Sequence, residues 1–289
     1  MAAEAAEYST RPVQLFYSLS QASRALVAAS PRITNNEWNV RGHGLSAVTG
    51  NRAADTKVKA SDRGLFQAVA TAIGAEPLVA AESHPLEELW PVLPYSAFMP
   101  LTARPRHPTM YLQPTGGHAG TLGWVSPYVN EECGNDRHKL LTYLQRYPTL
   151  KDAALQGADE DQVLWPSDGP PGYRLFVKFP NESWTITDEE LGRKVGLELW
   201  DNFFVVTPSI GGMTSAFHPF LAWWAVLLAL SSLARYEPAV WAQIIDIDHS
   251  PEANAIEECL DRATTEMPAL VLRALRLLAR PNSPTPAGN

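Results

Sequence analysis

The chain has 289 residues, 45% of them hydrophobic and 19% charged, and its 31 acidic side chains outnumber 23 basic ones for a net charge of −8. That apolar share excludes a disordered chain, and the lack of a Gly or heptad period excludes collagen-like and coiled-coil architectures. The length suits one or two domains, and 24 prolines, about 8% against a usual value near 5%, predict many Pro-marked boundaries and few long helices. In chain order, Arg11-Pro12 opens a first helix, because Pro at the first helical position gives up no hydrogen bond. Apolar residues then recur at Leu15, Phe16, Leu19, Ala22, Leu26 and Ala29, a stripe that should face a core, with Ser18, Ser20, Gln21 and Arg24 largely on other faces. Pro31 ends the run.

Residues 31–55 are polar and rich in turn formers (Asn35-Asn36, Gly42, Gly44, Gly50), which predicts a long loop with one short extended piece at most. Thr56 to Ala60 reads as a short strand, and Ser61 or Asp62 should cap a helix from Arg63 to Ile73 that Gly74 stops. Ser83, Pro85 and Glu87 suggest a capped short helix through Trp90, interrupted at Pro91. From Pro94 to Pro127 the chain is dense in Pro and Gly, with a strand expected only around Met110 to Gln113. Helices are expected from Asn135 or Asp136 to Arg146, from Thr149 to about Leu155, and after the capping signature Thr187-Asp188-Glu189-Glu190. Tyr173 to Phe179 and Asn202 to Thr207 read as true strands.

The C-terminal part returns to helix. Phe220 to Ala234 is about 15 residues of almost pure apolar sequence, short of the roughly 20 a bilayer requires and containing Ser231 and Ser232, so it reads as a buried core helix. Pro238 opens a helix with Val240, Trp241, Ile244 and Ile245; Pro251 opens another with Ala255, Ile256, Cys259, Leu260 and Ala263 on one face; Pro268 precedes a last one, Ala269 to Leu278. The tail from Arg280 reads as disordered. Trp223, Trp224 and Trp241 should help fill the core.

Two distant cysteines, Cys133 and Cys259, fit neither a disulfide framework nor a zinc knuckle and read as buried thiols. The N-terminal MAAEAAEYSTR has no apolar core of a signal and no Arg-rich transit character, so a cytoplasmic protein is expected. Charge is uneven: residues 11–63 hold eight basic and three acidic side chains, +5, which leaves −13 for the rest. Such a segment suits either a local phosphate contact or docking against an acidic surface of its own fold.

The sharpest local chemistry is Gly42-His43-Gly44. Flanking glycines let backbone approach a ligand and leave an imidazole exposed as a general base or phosphate contact, although the same triplet also makes a tight turn. Gly42-x-Gly44-x-x-Ala47 is no dinucleotide fingerprint, since no strand precedes it. Arg235 and Tyr236 end the apolar helix, where a cation complements exposed carbonyls and either forms a structural ion pair, with Glu237 adjacent, or holds an anion; His218-Pro219 should cap its start. Asp246-Ile247-Asp248-His249 lacks further ligands at a metal's spacing, and the Gly116–Thr121 loop lacks the Lys of a phosphate-binding loop. No motif calls for a cofactor or a metal.

Tyr17-Ser18-Leu19-Ser20-Gln21-Ala22-Ser23-Arg24-Ala25-Leu26 with Gly42-His43-Gly44-Leu45, and His218-Pro219 with Ala229-Leu230-Ser231-Ser232-Leu233-Ala234-Arg235-Tyr236-Glu237-Pro238 and Trp241, resemble the YaaC-like family of bacterial proteins. That resemblance implies no particular chemistry. The first stretch also resembles the helical hairpin of HEPN domains, many of which are ribonucleases with Arg, four to six residues, then His. None of the seven histidines has an Arg at that spacing, so a nuclease site would have to be rebuilt from Arg24 or Arg41 with His43.

The expected fold is therefore α+β and predominantly helical, with N- and C-terminal helices sharing one core and a small sheet among Pro/Gly-rich loops in the middle. The expected division is 11–80, a helical HEPN-like segment; 81–186, the Pro/Gly-rich middle; 187–280, a helical bundle; and 281–289, a tail. Two functions of different class stand open. One is a non-enzymatic binding module for a partner protein, another copy of the chain, or a phosphate-bearing ligand (nucleotide or RNA) at a local basic site, with no membrane or metal. The other is a HEPN-like ribonuclease or other phosphodiester-acting enzyme, with His43 as the candidate catalytic residue. The candidate ligand-binding residues are Gln21, Arg24, Arg41, His43, His218, Arg235 and Tyr236.

Overall fold

The computed structural model describes residues 7–34, 39–96, 98–103, 107–114, 121–126, 137–150, 154–155, 165–166, 173–178, 198–200 and 203–279. Within them the chain forms two compact units, one from residues 1–84 and 223–289 and one from residues 85–222. Expectations on the helix after Thr187, the Gly116–Gly120 loop, Cys133 and the C-terminal tail lie outside the described residues.

The first unit grows from helix α1, Arg11–Ala29, whose Pro12 lies in its first turn as expected. Its apolar stripe is buried at Leu15, Phe16, Leu19 and Leu26, joined by Val27. Ser20 and Ser23 are buried as well, where the sequence suggested that Ser20 faces elsewhere, and Ala29 is exposed. The buried arc is thus centred between Phe16 and Ser23, because α1 packs against both α2 (Leu65–Ile73) and α7 (Ala253–Ala279) and two neighbours cover a wider arc than one stripe. Arg11 pairs with Asp261 of α7, and the Tyr8 hydroxyl donates to the same carboxylate at 2.8 Å.

Strands β1 (Leu45–Val48) and β2 (Lys57–Ala60) pair antiparallel with Leu45 opposite Ala60, and β3 (Ser83–Pro85) completes a three-stranded sheet on the β2 side. Along β2 the lysines at 57 and 59 are exposed while Val58 and Ala60 are buried, the alternation a one-sided sheet requires. Ser83 is therefore strand rather than helix cap.

Helix α5, Pro219–Tyr236, is three residues longer than its apolar run suggested, and by length and composition alone it would suffice to cross a membrane. Every residue from Pro219 to Leu233 is buried. In the first unit, Trp224 meets the ring of Phe66 edge to face at 5.9 Å, a favourable arrangement of ring quadrupoles. The buried hydroxyl of Ser232 donates to the Leu228 carbonyl at 2.8 Å, which makes it tolerable inside an apolar helix. Trp241 of α6 (Pro238–Ile244) is buried with its indole N–H donated to the Ser9 carbonyl at 3.0 Å.

Helix α7 runs unbroken through Pro268, where a new helix was expected. An interior Pro costs about 3 kcal/mol through its missing N–H and its clash with the carbonyl four residues earlier. Here Pro268 is exposed while Met267 and Leu270 on either side are buried, so apolar contact on the inner face keeps the helix continuous past it.

Among the described residues the second unit is built on seven strands in the order β6 (Ala154–Leu155), β8 (Tyr173–Lys178), β5 (Thr121–Ser126), β4 (Met110–Pro114), β10 (Phe203–Val206) and β9 (Glu198–Trp200), with β7 (Trp165–Pro166) paired to β8 and the described pairings antiparallel. The strands expected from sequence are β4 (Met110–Pro114), β8 (Tyr173–Lys178) and β10 (Phe203–Val206). Four more join them: β5 (Thr121–Ser126), β6 (Ala154–Leu155), β7 (Trp165–Pro166) and β9 (Glu198–Trp200). Helix α3 (Leu86–Leu89) passes into a 3-10 turn at Trp90–Val92, since Pro91 is admissible in the first turn of a new helical segment. Helix α4 covers Arg137–Leu144, and a further 3-10 turn, Pro148–Leu150, stands where Thr149 was expected to start a helix.

Candidate functional site

The site is built from the loop around His43, the outer face of α1 and the end of α5, all within the first unit. Gly42 and Gly44 both have φ of +77°, a left-handed conformation that L side chains adopt only at a cost. This curl turns the carbonyls of Gly42 and His43 toward the start of α2, where they accept the N–H groups of Leu65 and Phe66 at 3.2 and 3.0 Å. Two donors that the first helical turn leaves unpaired are thereby satisfied by main chain. The expected side-chain cap from Ser61 or Asp62 is absent, and the helix starts at Leu65 rather than Arg63 because Gly64, with φ of +139°, is not helical. Gln67 locks the loop from the other side, its Nε2 donating to the Gly44 carbonyl at 3.1 Å and also to that of Ser61.

With its backbone so fixed, His43 lays its imidazole edge-on against Phe16, 5.0 Å between ring centres, and against Tyr17 at 6.2 Å. The residue is half-buried, and its Nδ1 is buried with no hydrogen-bond partner. Burial lowers the imidazole pKa below its usual 6.5, and the positive charges of Arg24 and Arg235 lower it further. At neutral pH the ring is therefore neutral.

Two cations thus converge on His43 from opposite ends of the chain. Arg24 is half-buried on α1 and donates through Nη1 to the Val40 carbonyl at 3.1 Å. Arg235 is exposed at the last turn of α5; its Nη1 donates to the Tyr17 hydroxyl at 3.0 Å, and its guanidinium carbon lies 5.6 Å from the centre of the Tyr17 ring and 4.8 Å from that of Tyr236. Arg235 forms no ion pair with the neighbouring Glu237. Among the described residues neither Arg24, Arg41 nor Arg235 is paired with a carboxylate.

Of the residues singled out from sequence, the structure brings Arg24, His43, Arg235 and Tyr236 into one neighbourhood. Gln21 is exposed on α1, four residues after Tyr17 and three before Arg24, and so shares their face. Arg41 is exposed one residue before Gly42. His218 belongs to the second unit, where its Nδ1 accepts the Phe220 N–H at 3.1 Å and caps α5.

Sequence reasoning missed Tyr17 and Glu252. Tyr17 had a usable signal, a polar-tipped aromatic one helical turn from Gln21 and two from Arg24. Glu252 had none, yet it is a buried carboxylate that accepts the amides of Ala53 and Ala54 at 2.8 and 3.2 Å and Nη2 of Arg52 at 3.2 Å. Asp246 and His249 form a local pair at 3.0 Å in an exposed turn, and no group of three metal-binding side chains occurs among the described residues. Cys259 is buried, and burial pushes its thiol pKa far up, away from thiolate chemistry.

The fold and this cluster define a predominantly helical α+β protein with a basic, aromatic face at the junction of α1, α5 and the Gly-His-Gly loop. Residues 1–275 match the family model described as YaaC-like Protein, so the chain belongs to that family, the one its Tyr17–Leu26 and Leu230–Pro238 stretches resemble. No curated protein and no solved structure matches the chain.

Proposed function

We propose that this YaaC-like protein is a cytoplasmic, non-enzymatic binding module for a phosphate-bearing ligand, held by Arg24, Arg41, His43 and Arg235. The observation that carries the reading is the convergence of Arg24 and Arg235 on a neutral His43 with no carboxylate among the described residues to neutralise them. Guanidinium groups with no carboxylate partner beside a half-buried, aromatic-lined imidazole offer charge-assisted hydrogen bonds to an anion. His43 then acts as a neutral donor or acceptor.

The alternative, a HEPN-like ribonuclease or other phosphodiester-acting enzyme, draws on the same convergence, with His43 as acid or base and the arginines stabilising phosphate charge. Binding alone is favoured because the described cluster supplies one imidazole and no carboxylate to orient it, whereas a catalytic base is ordinarily positioned by a further group. A thermal-shift series of the full chain with pyrophosphate and with a short RNA tests both. Stabilisation that is lost in Arg235→Ala and His43→Ala, with the RNA recovered intact, is expected. Cleavage of the RNA that depends on His43 would replace the binding reading with the enzymatic one, and stabilisation by neither probe would sink both.

A further inference from the structure

Tyr236 stands out against its surroundings: it ends a helix buried almost throughout, yet it is 63% exposed. Arg235 sits 4.8 Å from the centre of its ring, a cation–π contact that holds the ring in place while leaving most of it to solvent. The same guanidinium also faces Tyr17, itself 40% exposed, and spends one of its five donors on the Tyr17 hydroxyl. Among the described residues its remaining donors have no partner.

Resting on the phosphate reading above, we infer that Tyr236 is a stacking platform and that the ligand is a nucleotide whose base lies on this ring while its phosphate meets Arg235 and Arg24. The two features needed for this lie side by side. An exposed, pre-positioned aromatic ring stacks on any base, because every base presents a π-face. A guanidinium fork matches the paired oxygens of a phosphate. An inorganic anion would use only the second feature, and a neutral aromatic compound only the first. A nucleoside monophosphate carries both on one ribose.

Calorimetric titration of the full chain with inorganic phosphate, ribose 5-phosphate, phenyl phosphate, AMP and UMP separates this inference from the reading it rests on. Base–aromatic stacking is worth about 1–3 kcal/mol per base, so AMP should bind on the order of tenfold more tightly than ribose 5-phosphate, with UMP between them. Tyr236→Leu should bring that ratio close to one and Tyr236→Phe should preserve it. Because the side chain is exposed, both variants should keep the wild-type melting temperature, which confirms that the ratio reports the site. Equal affinities for AMP and ribose 5-phosphate, or an AMP advantage that survives Tyr236→Leu, would overturn the stacking inference, and phenyl phosphate binding as tightly as AMP would overturn the assignment of a nucleotide; each would leave the phosphate reading standing. Binding of none of the five probes would overturn both.

Discussion

The carboxylate of Glu252 accepts the backbone amide of Ala53 at 2.8 Å, tying the loop before β2 to the residue that precedes α7 across 199 positions of sequence. The same carboxylate takes the amide of Ala54 and a guanidinium nitrogen of Arg52, while its own backbone carbonyl accepts the Ile256 N–H that starts α7. Removing the acceptor would leave two buried amides unpaired, at about 1–3 kcal/mol each. Glu252→Ala is therefore expected to lower stability by about 3 kcal/mol in urea denaturation. Glu252→Gln should cost less, since one side-chain oxygen can still accept. A Glu252→Ala variant as stable as the wild type would show that the Ala53–Ala54 turn finds other partners.

Gly42, Gly44 and Gly64 look alike in sequence, but they should differ sharply in tolerance. A Cβ on Gly42 meets nothing within 4 Å, so Gly42→Ala should cost only its left-handed backbone, about 1–2 kcal/mol. A Cβ on Gly44 collides first with Gln67 and then with the Gly64 backbone at 3.1 Å. On Gly64 it would fall 2.2 Å from the Gly44 Cα, where no side chain can yield, in a backbone region that is essentially glycine's alone. The expected order of destabilisation is Gly64→Ala, then Gly44→Ala, then Gly42→Ala, read from melting temperatures or, for the worst, from soluble yield.

Pro268 offers the opposite case. It is exposed inside a continuous helix, where it withholds an amide from the carbonyl of Thr264. Pro268→Ala restores that bond and improves local helix propensity, so it should raise stability by about 1–3 kcal/mol. A loss of stability instead would mean that the proline ring fixes a bend on which the packing of Met267 and Leu270 depends.

The elements visible in the sequence are those whose signal is local. The stripe from Leu15 to Leu26, the alternation along Lys57–Ala60 and the apolar run after Pro219 each carry their own period, and each became the element it suggested. Strand β5 carries none: Gly123 has weak strand preference, and what holds the segment extended is β4 on one side and β8 on the other. The Gly-His-Gly loop was visible as a special place, but its carbonyls serve α2 from more than twenty residues away, a tertiary fact that no local pattern encodes. The convergence of Arg24 and Arg235 is likewise a product of α1 and α5 meeting, so neither arginine could be assigned to His43 from spacing alone.

The depressed pKa of His43 couples the site to pH. Above about pH 6.5 the imidazole is neutral in the folded and the unfolded chain, and its titration adds nothing to the pH dependence of stability. Below that value the unfolded chain takes up a proton that the folded one resists, because burial first and then Arg24 and Arg235 oppose a third positive charge there. The unfolded state then binds more protons, so this contribution is complete above the unfolded pKa and is lost as pH falls from there toward the lower folded pKa. Urea midpoints of the wild type should therefore fall more steeply than those of His43→Gln between about pH 7 and about pH 5, and the two profiles should run parallel above that window. An anion seated between the arginines would reverse the sign of their effect on the ring, favouring imidazolium, so pyrophosphate should flatten the acid limb of the wild type and leave that of His43→Gln unchanged in slope. Parallel profiles throughout would mean that His43 titrates alike in both states and that the two arginines lie too far from it, or too well screened, to form one site with it.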